Sequence, residues 1–171
     1  MNDLPSKFKV LIITLSDRAA EGEYEDLSGP RVKEMITDYF NTLDWPLETE
    51  TLVIHDDKAR LRQILNEYSR NYNIIFTSGG TGIGPRDITV DVVKDLLDLE
   101  IPGIMDHIRI KYGMQHPNAL LSRSIAGIMG QCLIYTLPGS VKAVKEYMSE
   151  ILKTLQHTIY MQYGIDVHKK H

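Results

Sequence analysis

Short apolar runs recur along the chain, and longer amphipathic or polar stretches separate them. Lys9 to Leu15 reads Lys-Val-Leu-Ile-Ile-Thr-Leu, and Tyr72 to Thr77 is similarly apolar. Runs this short and rich in β-branched residues predict strands buried on both faces, as in a parallel sheet. Glu50 to Ile54 predicts another short strand. Ser124 to Met129 and Gln131 to Leu137 predict two more, split by Gly130 and so a tight hairpin. Between these runs the period turns helical. Val32, Met35, Ile36, Tyr39, Phe40 and Leu43 form one stripe, opened by Pro30 and ended by Trp45-Pro46. Leu61, Ile64, Leu65 and Tyr68 form a second, capped by Asp56 or Asp57. Thr89 is expected to cap a third, which carries Val92, Val93, Leu96 and Leu97. Pro102-Gly103 opens a fourth to about Tyr112. Ser140 caps a long last helix with Val144, Tyr147, Met148, Ile151, Leu155 and Ile159 inward. Ser16 to Gly29 and Ser78 to Thr89 read as loops, and the stretch after Tyr163 as a frayed polar tail.

Strands alternating with helices build βαβ units, whose sheet is mainly parallel with helices on both faces. The expected fold is α/β: three αβα layers around a mainly parallel central sheet, with one antiparallel edge hairpin. No repeat, low-complexity segment or linker divides the chain. Its 171 residues are expected to form one domain, with a core over about 8–163 and a tail over 164–171. A domain of this size buries roughly 70% of its unfolded surface and needs no metal or disulfide staple.

Composition narrows the function. The 23 acidic and 19 basic residues give a net charge of −4, without the basic footprint of a non-specific nucleic-acid binder. Cys132 is the only cysteine, which excludes an internal disulfide and a Cys-rich zinc site. It sits in an apolar run and reads as a buried hydrophobe. The first nine residues hold no apolar signal stretch, and no run approaches the ~18 apolar residues of a membrane span. A cytoplasmic protein without nucleic-acid or membrane partners is therefore expected.

In an open α/β sheet, ligands bind beyond the carboxyl ends of the strands. The first strand is followed by Ser16-Asp17-Arg18, the second by His55-Asp56-Asp57, and the last by Pro138-Gly139-Ser140. After the third comes Ser78-Gly79-Gly80-Thr81-Gly82-Ile83-Gly84-Pro85-Arg86-Asp87. Small, polar and acidic residues thus gather at the expected functional edge. The glycines let the backbone approach a ligand, and their N–H groups with the Ser78 and Thr81 hydroxyls can cradle an anion. Arg86 adds a fork for phosphate. The plainer reading is a long turn that needs glycine for its angles. No Lys-Ser or Lys-Thr follows, so this is no Walker loop, and the dinucleotide fingerprint lacks its third glycine. Asp56 and Asp87 follow strands at one edge, and two carboxylates beside phosphates suit Mg²⁺. Helix capping is the alternative for Asp56, and a loop role the alternative for Asp17. None of the six histidines forms a ligand pair, and no Gly-x-Ser-x-Gly elbow is present.

At these residues the chain resembles the molybdopterin adenylyltransferase family of molybdenum cofactor biosynthesis, which shares its fold with the G domain of gephyrin. The resemblance lies in Ser16-Asp17-Arg18, Ser28-Gly29-Pro30, Thr77-Ser78-Gly79-Gly80-Thr81-Gly82 and Pro85-Arg86-Asp87-Ile88-Thr89. It continues in Pro102-Gly103, Ser122-Arg123-Ser124-Ile125-Ala126-Gly127 and Leu137-Pro138-Gly139-Ser140, so that it runs from residue 10 to about 160. The resemblance implies transfer of AMP from Mg²⁺-ATP to the terminal phosphate of molybdopterin, with release of pyrophosphate. It implies essential carboxylates at Asp56 and Asp87, serving metal and phosphoryl transfer. The glycine loop would hold the nucleotide. Ser122, Arg123, Ser124 and Gly127, with Pro138, Gly139, Ser140 and Lys142, would face pterin and phosphate. A homotrimer and a downstream molybdate-inserting partner are implied as well. Relatives often carry Pro where this chain has His55, and Asn-Pro where it has Ser140-Val141. The second departure bears on substrate contacts at the last helix. A pterin carrier or scaffold without catalysis is the alternative. The molybdate-inserting sister enzyme shares the fold, but its extra domains have no room in this chain.

Overall fold

The computed structural model describes residues 4–165. The expected tail over 164–171 therefore lies mostly outside the described residues. Strands β1 (Phe8–Leu15), β2 (Leu47–Ile54), β3 (Ile74–Ser78), β4 (Leu99–Glu100), β5 (Ala126–Met129) and β6 (Cys132–Leu137) form one sheet in the order β2-β1-β3-β6-β5-β4. The strands β2, β1, β3 and β6 run parallel, and β5 is antiparallel to both β6 and β4. The three-layer α/β expectation, antiparallel edge included, agrees with this sheet.

The central strands are buried because both of their faces are covered. Val10 and Ile12 of β1 pack with α2 (Ser28–Thr42), α5 (Pro102–Gly113) and α6 (Val141–Gln162). Leu11 and Ile13 point the other way, onto α3 (Lys58–Tyr68) and α4 (Thr89–Lys94). That alternation is the two-residue period of a strand, with both sets of side chains apolar. Cys132 is buried among the second set, and burial pushes its thiol up to about 12, as expected of a core cysteine.

Several boundaries differ from expectation. The strand expected at Glu50 begins at Leu47, because β2 is an edge strand whose outward residues are polar. The expected loop after β1 holds a helical turn, α1 (Asp17–Ala20), capped by the Ser16 hydroxyl, which accepts from the Ala19 N–H. Asp57, not Asp56, caps α3 by accepting from the Ala59 and Arg60 N–H groups. Thr89 does not cap α4: Ile88 takes the cap position, and Leu96 and Leu97 lie past the helix end. A 3₁₀ turn at Pro117–Leu121 follows α5. Ser140 caps α6 as expected, accepting from the Ala143 N–H at 3.2 Å.

One buried charge joins α5 to α6. The Glu150 side chain is 6% exposed and accepts from Lys111 at 2.7 Å and Lys153 at 2.9 Å. His107 Nε2 lies 3.2 Å from its other oxygen. Burial by itself would raise this carboxyl. The hydrogen bonds from Lys111, Lys153 and His107 outweigh burial and hold it near 2.

Candidate active site

Strand register brings four turns to one rim. Leu15 pairs with Ile54, Thr14 with Ser78, and Ser78 with Leu137, so β1, β2, β3 and β6 end level. The chain must turn sharply after β3 to stay at that rim. Gly79 and Gly80 do so with φ of 101° and 66°. A side chain on Gly79 would collide with the Leu15 carbonyl, and one on Gly80 with the Thr89 hydroxyl. The buried Thr89 hydroxyl donates to the Gly79 carbonyl at 2.8 Å, and the Thr89 N–H donates to Gly80 O at 3.1 Å. The residue expected as a cap thus pins the glycine loop instead.

The first cleft, about 340 Å³, is lined by Ser16, Asp17, Asp56, Gly80, Pro85, Arg86 and Asp87 among the expected residues. Leu15, Arg18 and Gly84 complete it. Asp17 Oδ1 accepts from the Asp56 N–H at 3.0 Å, His55 Nδ1 lies 3.3 Å from it, and Arg86 lies 3.4 Å from Oδ2. The Asp56 N–H, ahead of His55 and Arg86, holds the Asp17 carboxyl below its ordinary range. Asp56 is shifted the other way. Burial and then the Asp17 charge push its carboxyl up, and the Asp87 charge adds to this. Asp56 and Asp87 line this same cleft. The Asp87 carboxylate accepts from the Gly84 N–H at 2.7 Å.

A second cleft of about 420 Å³ adjoins the first. Among the expected residues it is lined by Gly79, Gly80, Thr81, Gly82, Asp87, Ser122, Pro138 and Gly139. Ile83, Asn118 and Leu121 complete it and make it more apolar than the first. Gly80 and Asp87 line both clefts. Asn118 and Leu121 carried no sequence signal, because they belong to the unexpected 3₁₀ turn.

Other expected residues lie outside both clefts. The buried Ser78 hydroxyl donates to Pro138 O at 3.3 Å. Arg123 turns its guanidinium onto the glycine loop rather than into a cleft, donating to Gly82 O at 2.7 Å and Asp87 O at 2.8 Å. Ser124 is buried, 3.0 Å from the Ser122 hydroxyl, and Gly127 pairs with Ile134 inside the sheet. Ser140 is spent on its helix cap. Lys142 lies 2.6 Å from His116 Nε2.

Among the described residues, no group of three or more His, Cys, Asp or Glu is arranged to hold a metal. Two carboxylates beside a phosphate cradle nevertheless fit Mg²⁺, which takes one or two carboxylates and fills its shell with water and substrate phosphates. The structural sign of that fit is that Asp56 and Asp87 line one cleft together with Gly80 and Arg86 of the glycine loop.

A three-layer α/β domain with an acidic, glycine-cradled cleft at its strand ends is a nucleotide- or phosphate-handling architecture. The family model described as probable molybdopterin binding domain matches residues 11–157, and the chain belongs to that family. The molybdopterin adenylyltransferase of Helicobacter pylori strain J99 is 31% identical over 155 residues, which cover 90% of this chain and 86% of that protein. Gephyrin of Dictyostelium discoideum is 36% identical over 86% of this chain, which spans only 21% of gephyrin's length. The solved structure of the molybdopterin biosynthesis enzyme MoaB from Thermus thermophilus superposes with a TM-score of 0.80 at 32% identity, covering 92% of this chain and 97% of that one. Among the described residues, no helix is long and apolar enough to cross a membrane.

Proposed function

We propose that this chain is a molybdopterin adenylyltransferase, a nucleotidyltransferase that moves AMP from ATP to the terminal phosphate of molybdopterin. A phosphate oxygen of molybdopterin attacks the α-phosphorus, the bond to the β-phosphate breaks, and pyrophosphate leaves. The observation that carries this reading is the sharing of Gly80 and Asp87 by two adjoining clefts. A transfer between two anionic substrates needs two subsites meeting at one reacting centre. The polar first cleft suits a polyphosphate. The second, with Ile83, Leu121 and Pro138, suits a flat pterin whose phosphate reaches toward Gly80.

The chain's own groups bind and align. Loop N–H donors and Arg86 take phosphate charge, and the pinned glycine loop holds attacker and phosphorus in line. Asp56 and Asp87 would hold Mg²⁺, which would supply neutralising charge for the phosphates. No side chain need become a nucleophile. Of the remaining expected binding residues, Ser122 lines the pterin cleft and Lys142 would act at its rim, while Ser78, Arg123, Ser124, Gly127 and Ser140 serve the scaffold that shapes it.

The same reading makes the chain one domain, working in the cytoplasm and handing its product to a molybdate-inserting protein. A homotrimer fits the exposed apolar side chains of Ile110, Met114, Leu120 and Leu121 around α5 and the 3₁₀ turn. The decisive experiment is pyrophosphate release: it should require molybdopterin, ATP and Mg²⁺ together. Pterin binding without any release at saturating Mg²⁺-ATP would make the protein a carrier instead.

A further inference from the structure

Asp91 lies in the first turn of α4, outside both clefts. It is nonetheless bound to Arg123, the side chain that ties Gly82 to Asp87. Arg123 donates its backbone N–H to Thr81 O at 2.8 Å. Its Nε donates to Gly82 O at 2.7 Å and its Nη2 to Asp87 O at 2.8 Å, so one guanidinium ties the two ends of the Gly82–Asp87 loop. The Asp91 carboxylate takes the outer edge of that guanidinium, at 2.7 Å and 3.2 Å. Four of the five guanidinium N–H donors are thereby engaged within the protein.

We propose that Asp91 is a positioning residue for the adenylyl transfer: through Arg123 it holds the Gly82–Asp87 loop closed and sets where the Asp87 carboxylate stands. The proposal rests on the transfer reaction put forward above and names a further residue for it.

The loop cannot fix its own shape. Gly82 and Gly84 give it wide backbone freedom, and its internal bonds around Asp87 are the Gly84 N–H to the carboxylate and the Asp87 N–H to Gly84 O. An arginine alone is a long, mobile clasp. A two-point carboxylate contact fixes the plane of its fork, and only then do both carbonyls meet donors at once. Asp91 is itself anchored, because Thr89 at the start of α4 is pinned to Gly79 and Gly80. The clasp therefore refers Asp87 to the end of β3. A solitary surface ion pair contributes little to stability. Here its work is geometric, and a displacement of ~1 Å at a reacting group costs about 100-fold in rate.

Four measurements on the whole 171-residue chain test this. Asp91→Asn should lower kcat about tenfold or more while both KM values stay within about threefold. Asp91→Glu, which keeps the charge, should recover most of that loss. In an Asp87→Asn background, Asp91→Asn should cost no further kcat, because its effect passes through Asp87. Hydrogen exchange supplies a readout independent of turnover: the Gly84 amide, which donates to the Asp87 carboxylate, should exchange faster in Asp91→Asn. An unchanged Gly84 exchange rate overturns the proposal whatever the activity. So does faster exchange with wild-type kcat, or the same fold-loss with and without Asp87. Should the wild-type protein release no pyrophosphate, the reaction assignment fails on its own, and Gly84 exchange still decides whether the clasp exists.

Discussion

Two acidic sites in this molecule are built on opposite principles. At the strand ends, Asp17, Asp56 and Asp87 crowd one cleft with Arg86 as a lightly held counter-charge, and Asp56 is pushed up. Between α5 and α6, the single carboxylate of Glu150 is met by Lys111, Lys153 and His107 and is pulled down to about 2. The difference separates charge used for packing from charge held ready. A fully answered carboxylate stabilises the fold. A carboxylate pushed up by burial and by its neighbours, as Asp56 is, costs stability and persists where a ligand completes it.

Breaking the cleft should give the largest effect, and it should be on turnover. Asp87→Asn is expected to reduce pyrophosphate release by about 100-fold or more while pterin binding survives. Thermal unfolding of that variant should match the parent. Arg86→Ala should raise KM for ATP about tenfold, the worth of one charge-assisted phosphate contact. Breaking the other site should do the reverse. Glu150→Gln should cost about 1 kcal/mol, because its three partners are well exposed and screened. That corresponds to a Tm lower by about 2–4 °C for a chain of this length, with turnover unchanged.

The smallest effects concern pH and sharpen the contrast, because the two sites slope in opposite senses. The folded carboxyl of Glu150 lies below its ordinary 4.5, so its contribution is present above that value and is lost as pH falls toward 2. The folded carboxyl of Asp56 lies above its ordinary 3.8, so its contribution is present at low pH and lost as pH rises. Urea titrations across this range should show Glu150→Gln losing acid sensitivity. Asp56→Asn should be equal to or slightly more stable than the parent at neutral pH. A destabilised Asp56→Asn would mean that its charge is answered after all.

The parts of this design legible in the sequence follow from periodicity. The strands β1, β3 and β6 are covered on both faces and so carry unbroken apolar runs. Three of them ending level at one rim with β2 follows from a parallel sheet, which is why Asp56 and Asp87 could be paired across 31 positions of chain. Edge elements were poorly legible. The first residues of β2 face solvent, β4 is two exposed residues, and α1 is a single turn inside a polar stretch. Side chains that bond to distant backbone were not legible at all. Nothing in Ser122-Arg123-Ser124 tells whether the arginine faces a substrate or clasps Gly82 and Asp87. The Glu150 cluster likewise depends on the packing of α5 against α6, which no local pattern encodes.

The most direct trial is mass analysis of molybdopterin after incubation with the protein, ATP and Mg²⁺. A pterin heavier by one adenylyl group, formed in equal amount with pyrophosphate and lost with Asp87→Asn, is the expected result. Pterin recovered unchanged from the bound state, under conditions where ATP also binds, would contradict the reading of two clefts joined at Asp87.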